Sequence, residues 1–238
     1  IDHGFTSTRV GKIFHVRGPG DNIPGPNGED VAACWSARYN MPGKEAHTPG
    51  NYACLNLNKF TTKLEGRQST KMPYRMFVTV DYVGDGSDQP DWKAATKSID
   101  LLKEFKKDDK PFFLGCGIYL PHLPWYAPKQ FFDLHPLKDI VLPPHKPNDF
   151  DDIPATGKRM GEHHIKHIRE SGKWKEAVQA CLAAASFADA CVGHVLDALK
   201  KSPHKDNTIV VFTSDHGDMQ GSQGAVNKGL PWEDIPKN

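Results

Sequence analysis

Two apolar runs restrict the folds open to this chain more than any other feature. Pro111 to Ile118 (PFFLGCGI) and Thr208 to Thr213 (TIVVFT) are continuous and of strand length. That is the pattern of strands buried on both faces of a parallel sheet. Each run follows a helical segment. Asp91 to Lys107 repeats Trp92, Ala95, Ile99, Leu102 and Phe105 at helical spacing. Lys173 to Lys200 is the longer one, with Val178, Leu182, Ala185, Val192, Leu196 and Leu199 as its expected core stripe and Ser202-Pro203 as its stop. Helix then buried strand, twice over, predicts an α/β fold with a mostly parallel sheet flanked by helices. Ligands of such sheets sit beyond the carboxyl ends of the strands. Both runs lead there into polar, histidine-bearing loops, Pro121-His122 and Asp215-His216.

The remaining chain is less regular. Residues 17–70 are punctuated by Gly18-Pro19-Gly20, Pro24-Gly25-Pro26 and Pro42-Gly43, which leaves no room for long elements. They read as a loop-rich insertion within a single domain over 1–238, and Arg75 to Val80 (RMFVTV) reads as a short strand. With 30 Lys+Arg against 29 Asp+Glu and a net charge of +1, there is no electrostatic case for a nucleic-acid partner. No apolar stretch is expected to reach the roughly 20 residues of a membrane span. The five cysteines contain no CxxC pair, which argues against a zinc knuckle or a disulfide scaffold. Cys34 with Cys54 is the one local bridge that the spacing allows. The chain opens on Ile1 without a leader-like segment and reads as cut at both ends.

Several short motifs carry groups suited to anion or metal chemistry, each with a plainer reading beside it. Asp215-His216-Gly217 puts a carboxylate and an imidazole at a strand end, where they can ligate a divalent cation together; alternatively Asp215 caps a helix. Gly11-Lys12-Ile13-Phe14-His15 sets a cation and an imidazole three apart, facing one pocket or simply solvent. Pro121-His122-Leu123-Pro124 mounts a histidine between two prolines, rigid for binding or rigid as a turn. Lys228 would ordinarily be a surface residue. His163 and His167 stand at i and i+4, a metal-capable spacing, yet without a third ligand they read better as a solvated face. Asp189 falls on the expected core stripe, where a buried carboxylate needs partners, and reads as a structural anchor. No Walker A loop, GxGxxG, GxSxG or N-x-S/T sequon is present.

In order and spacing, the four motifs around Lys12, His122, Asp215 and Lys228 resemble the sulfatase family of the alkaline-phosphatase-like superfamily. Lys110-Pro111-Phe112-Phe113-Leu114, Ser186-Phe187-Ala188-Asp189-Ala190 and Asn207-Thr208-Ile209-Val210-Val211 add to the likeness. The Lys-x-x-His spacing and the Pro-His-x-Pro turn are similar to those of the iduronate-2-sulfatase-like branch. The resemblance implies a partial sulfatase-like α/β sandwich and a sulfuric ester hydrolase acting on a sulfated small molecule or glycan. It implies a calcium ion rather than magnesium, and a formylglycine made from a cysteine or serine, whose hydrate attacks sulfur. By position, Asp215 and His216 would ligate the metal, and Lys12 and Lys228 would hold the formylglycine and sulfate oxygens. His15 would shuttle protons and His122 would contact the sulfate. Secreted, periplasmic or lysosomal placement is implied too.

The family's first metal-binding aspartates and its nucleophile precede the Lys-x-x-His motif, so both are expected upstream of Ile1, together with a central strand, while the C-terminal subdomain is expected after Asn238. Cys34-Trp35-Ser36-Ala37-Arg38 imitates the nucleophile motif, but it lacks the central proline and lies on the wrong side of Lys12. Residues 1–238 alone are therefore expected to be inactive, to bind calcium weakly and to expose strand edges. A phosphonate or phosphate monoester hydrolase of the same superfamily, and a non-catalytic anion-binding relative, are the competing readings.

Overall fold

The computed structural model describes residues 4–14, 31–43, 52–56, 59–61, 78–82, 84–106, 110–122, 125–146, 148, 151–155, 169, 172–221 and 226–227. Strand β1 (Thr6–Gly11) pairs in parallel with β2 (Ala37–Tyr39) on one edge and with β6 (Phe112–Gly117) on the other. A second sheet runs in the order β4 (Lys59–Thr61), β3 (Tyr52–Asn56), β5 (Val78–Tyr82), β7 (Trp125–Pro128); β5 and β7 are parallel and the other two ladders antiparallel. A short antiparallel ladder joins β8 (Met219–Gln220) to β9 (Val226–Asn227). The expected α/β architecture with parallel pairing is present, but its strands divide between sheets. The strand expected at 75–80 is found as β5, with 75–77 outside the described residues.

Helix α1 (Pro90–Glu104) joins the two halves. Pro90 starts it, its ring fitting the first turn where no intrahelical donor is needed. Ala94 and Leu101 on one side pack with Val10 of β1. Ala95 on another side enters a larger core with Trp125, Tyr126 and Ala127 of β7 and with α3 (Trp174–Lys200). The carboxyl end of α1 is closed by aromatic contact, Phe105 stacking on Phe112 at 4.6 Å. There His204 Nε2 lies 2.9 Å from the Phe105 carbonyl oxygen. Helix α2 (Lys129–Asp133) and the turn after it are latched to α3 through Gln179, whose amide donates to the His135 carbonyl at 2.8 Å.

Four expectations are corrected here. The run 208–213 forms no strand: Ile209, Val211 and Phe212 are 92%, 81% and 82% exposed. A strand that apolar needs covered faces and a ladder; both edges of β1 are taken by β2 and β6, and 208–213 has no strand partner among the described residues. The core face of α3 keeps Val178 of the expected stripe but is otherwise shifted from it. Leu182 is 40% exposed and Ala185 is exposed, whereas Ala177, Ala180, Cys181, Ala184, Phe187 and Cys191 are buried. The bulk of Trp125 and Tyr126 from β7, with Phe187 of α3 itself, fills that core, so the other α3 positions facing it are mostly small. Asp189 is consequently exposed rather than a buried anchor. Finally, α3 is long and apolar enough to cross a membrane by length and composition, contrary to the expectation that no stretch approaches a span; here its apolar face packs on α1, α2 and β7.

Candidate functional site

The carboxyl ends of β1 and β6 meet at two glycines in register, Gly11 and Gly117. Gly11 has φ +71°, and a Cβ there would overlap the Gly117 carbonyl. A Cβ on Gly117 would overlap the backbone of Lys12. Glycine at both positions therefore permits a backbone approach that no side chain would allow. The Lys12 N–H donates to the Gly117 carbonyl at 3.2 Å, which continues the ladder one residue and seats Lys12 beside the loop leaving β6. Arg9, buried one strand repeat earlier, braces the same end: Nη1 donates to the Gly11 carbonyl at 2.7 Å and to Asn40 Oδ1 at 2.9 Å.

The loop after β6 turns through a cis Leu120–Pro121 bond. The His122 N–H donates to the Tyr119 carbonyl at 3.1 Å, and Trp125 Nε1 donates to the Pro121 carbonyl at 3.0 Å. The buried Tyr119 ring is the meeting point. Lys12 Nζ lies 5.7 Å from its centroid and the His122 ring 4.7 Å from it. A lysine from one strand end and a histidine from the next thus share one aromatic platform, with the ammonium within cation–π range.

Asp91 lies beneath this loop in the first turn of α1, 3% exposed. The N–H groups of Tyr119 and Leu120 donate to its Oδ1 and Oδ2 at 2.8 and 2.9 Å. Burial pushes the carboxyl up to about 6, against the opposing pull of the two backbone hydrogen bonds and of the Lys12 charge. Neither Asp91 nor Tyr119 was picked out from the sequence. An Asp after an N1 proline ordinarily reads as a match to the helix dipole, and no spacing rule ties it to residues 119 and 120. The Tyr119 ring stands out in sequence only by its closeness to Pro121-His122.

Asp215 and His216 come together with each other, Asp215 Oδ2 to His216 Nε2 at 3.5 Å, on the segment after the exposed run. His216 Nδ1 is 2.7 Å from the Gly217 carbonyl oxygen, and the Asp215 side chain is largely exposed. One carboxylate and one imidazole are too few donors for a calcium shell of six to eight oxygens. No group of three or more metal-capable side chains occurs among the described residues. His15, Lys228, His163 and His167 lie outside the described residues. The imitation motif is structural: the Ser7 N–H donates to Ser36 Oγ at 3.1 Å, Trp35 contacts the Phe14 and Phe113 rings, and Arg38 pairs within the β1–β2 ladder. Cys34 is a free, exposed thiol, so the bridge to Cys54 is not formed.

The sheet thus gathers a lysine and a histidine at its carboxyl ends, an arrangement chemically suited to an anion. The comparisons make the family specific. The sulfatase family description matches residues 36–238, and the chain belongs to that family. A sulfatase of Formosa agariphila is 41% identical over 167 residues, covering 64% of this chain and 33% of its own length. Iduronate 2-sulfatase of Mus musculus is 31% identical over 238 residues, covering 94% of this chain and 40% of its own. Residues 1–238 therefore span a third to two fifths of these relatives. In fold, the chain is similar to a protein solved in complex with its substrate D-glucosamine-2-N,6-O-disulfate, with a TM-score of 0.58 at 17% identity. That likeness covers 99% of this chain and 52% of the other.

Proposed function

We propose that the protein containing this chain is a sulfuric ester hydrolase that cleaves sulfate from a sulfated carbohydrate. One observation carries the reading: Lys12 and His122, from adjacent strand ends, gather on the Tyr119 ring at the carboxyl edge of the sheet. A sulfate ester carries charge on its non-bridging oxygens and builds more on the leaving oxygen. Fixed cations and N–H donors at that edge stabilise both. Lys12 holds the sulfate from the β1 side and His122 from the β6 side; Lys228 completes the cationic rim and His15 moves the proton. Asp215 and His216 would supply a carboxylate oxygen and an imidazole nitrogen to a calcium ion whose remaining ligands would come from outside the described residues. A formylglycine outside residues 1–238 would supply the nucleophile. Iduronate 2-sulfatase and the disulfated-glucosamine complex among the similar proteins favour a sulfated sugar as substrate. The same kinship favours a secreted, periplasmic or lysosomal setting.

The test is release of inorganic sulfate from 2-O- and 6-O-sulfated monosaccharides by the natural polypeptide, with a phosphate monoester in parallel. Sulfate release that falls about 100-fold or more in kcat/KM on K12A and on H122A is the expected result. Phosphate release without sulfate release would move the enzyme to the phosphatase side of the superfamily. Binding of sulfate with neither product would leave an anion-binding protein.

A further inference from the structure

The buried carboxylate below the site has a task of its own. Asp91 brings an acid into a water-excluded position, where a charge costs stability unless it is fully partnered. What it gains is a two-point hold on one short stretch of backbone: each carboxylate oxygen takes one N–H, from Tyr119 and from Leu120. Those two residues precede the cis Leu120–Pro121 bond and the histidine beyond it. The Tyr119 carbonyl in turn accepts the His122 N–H. The chain of contacts therefore runs from the first turn of α1, through the Tyr119–Leu120 backbone, to the ring on which Lys12 and His122 both sit. Asp91 also lies within the electrostatic reach of Lys12, the cation pulling its carboxyl downward.

We propose that Asp91 is the positioning residue of the anion site: it fixes the Tyr119–Leu120 backbone so that His122 is presented beside Lys12. This rests on the sulfate-holding role proposed for Lys12 and His122. Asp91 does not touch the substrate. It removes from the 118–122 loop the freedom that binding would otherwise have to freeze out, which is how preorganisation strengthens binding.

The experiment compares wild type, D91A and D91N in the natural polypeptide. Inorganic sulfate is the binding probe, a sulfated monosaccharide the substrate, and hydrogen exchange at the Tyr119 and Leu120 amides the local readout. The expected result is a KM for substrate and a Kd for sulfate raised about 10-fold or more in D91A, with kcat less affected and faster exchange at both amides. D91N, which keeps one acceptor oxygen, recovers part of the affinity. Melting temperatures read on the same samples separate the effect from general loss of fold, since a purely structural role would let affinity follow Tm rather than the exchange at 119 and 120. Should D91A not fold, the D91N comparison with wild type decides in the same way. Unchanged sulfate affinity in a folded variant with fast-exchanging amides overturns the Asp91 assignment alone. A wild-type protein that binds no sulfate overturns the reading beneath it as well.

Discussion

At the scale of single residues, Asp91 makes stability depend on pH in an unusual direction. Its ordinary value is 3.8 and burial raises it to about 6. The folded state then holds its proton more tightly than the unfolded state. The stability it contributes is complete below about pH 4 and is lost as pH rises through about 6. The difference is on the order of 3 kcal/mol. D91N removes this dependence, so urea midpoints taken from pH 4 to pH 7 should fall less steeply with rising pH in the variant than in wild type. The cysteines give a second prediction. Cys34 is exposed, while burial pushes the Cys181 thiol up to about 12 and raises Cys116 and Cys191 as well. Iodoacetamide on the folded chain should modify Cys34 and spare those three, as read by peptide mass mapping.

At the scale of elements, α3 shows what a hydrophobic pattern reveals and what it misses. Its extent was legible to within a residue, because a long apolar period ending in Ser-Pro leaves few alternatives. Which face is buried was not. Pattern reading weights large aliphatics such as Leu182 and Leu196, but β7 already brings Trp125 and Tyr126 and α3 its own Phe187, so alanines fill most of the remaining positions on that face. Phe187→Ala should therefore cost about 3–5 kcal/mol, against less than about 1 kcal/mol for Leu182→Ala, both measured by urea denaturation. The same limit explains the two apolar runs. PFFLGCGI and TIVVFT look alike in sequence, yet β6 finds β1 in full register, as an edge strand with Phe113 exposed rather than buried on both faces as expected, and 208–213 finds no ladder among the described residues. Composition reports willingness to be a strand; pairing is decided elsewhere in the chain. Of the candidate site, Lys12 and His122 stood out in sequence because glycine and proline mark their mounts, and the structure brings them to one ring. Asp91 was not, because its partners are backbone N–H groups, which leave no trace in residue type.

At the scale of the whole molecule, the run from Ile209 to Phe212 leaves four large apolar side chains exposed side by side. Contiguous apolar surface of this kind is an association site. Residues 1–238 alone should self-associate, with light scattering that rises with concentration, and Ile209→Lys combined with Val211→Lys should suppress it. If that double variant scatters as strongly as wild type, the association arises elsewhere. Calcium titrated into residues 1–238 should show only weak binding by calorimetry, since Asp215 and His216 offer two donors.

The glycine contact between β1 and β6 also separates two parts of the protein that might have been expected to change together. The Lys12 N–H is held by the Gly117 carbonyl, a neighbour in space that lies far along the chain. A loop between β2 and α1 can therefore lengthen or shorten without breaking the contact that seats the Lys12 backbone. Doubling such a connection costs only about 0.6 kcal/mol in closure entropy. Under the sulfate-holding role proposed for Lys12, a lineage is free to rewrite the walls around a substrate while the lysine stays where it is, and selectivity can diverge at almost no expense to the anchor.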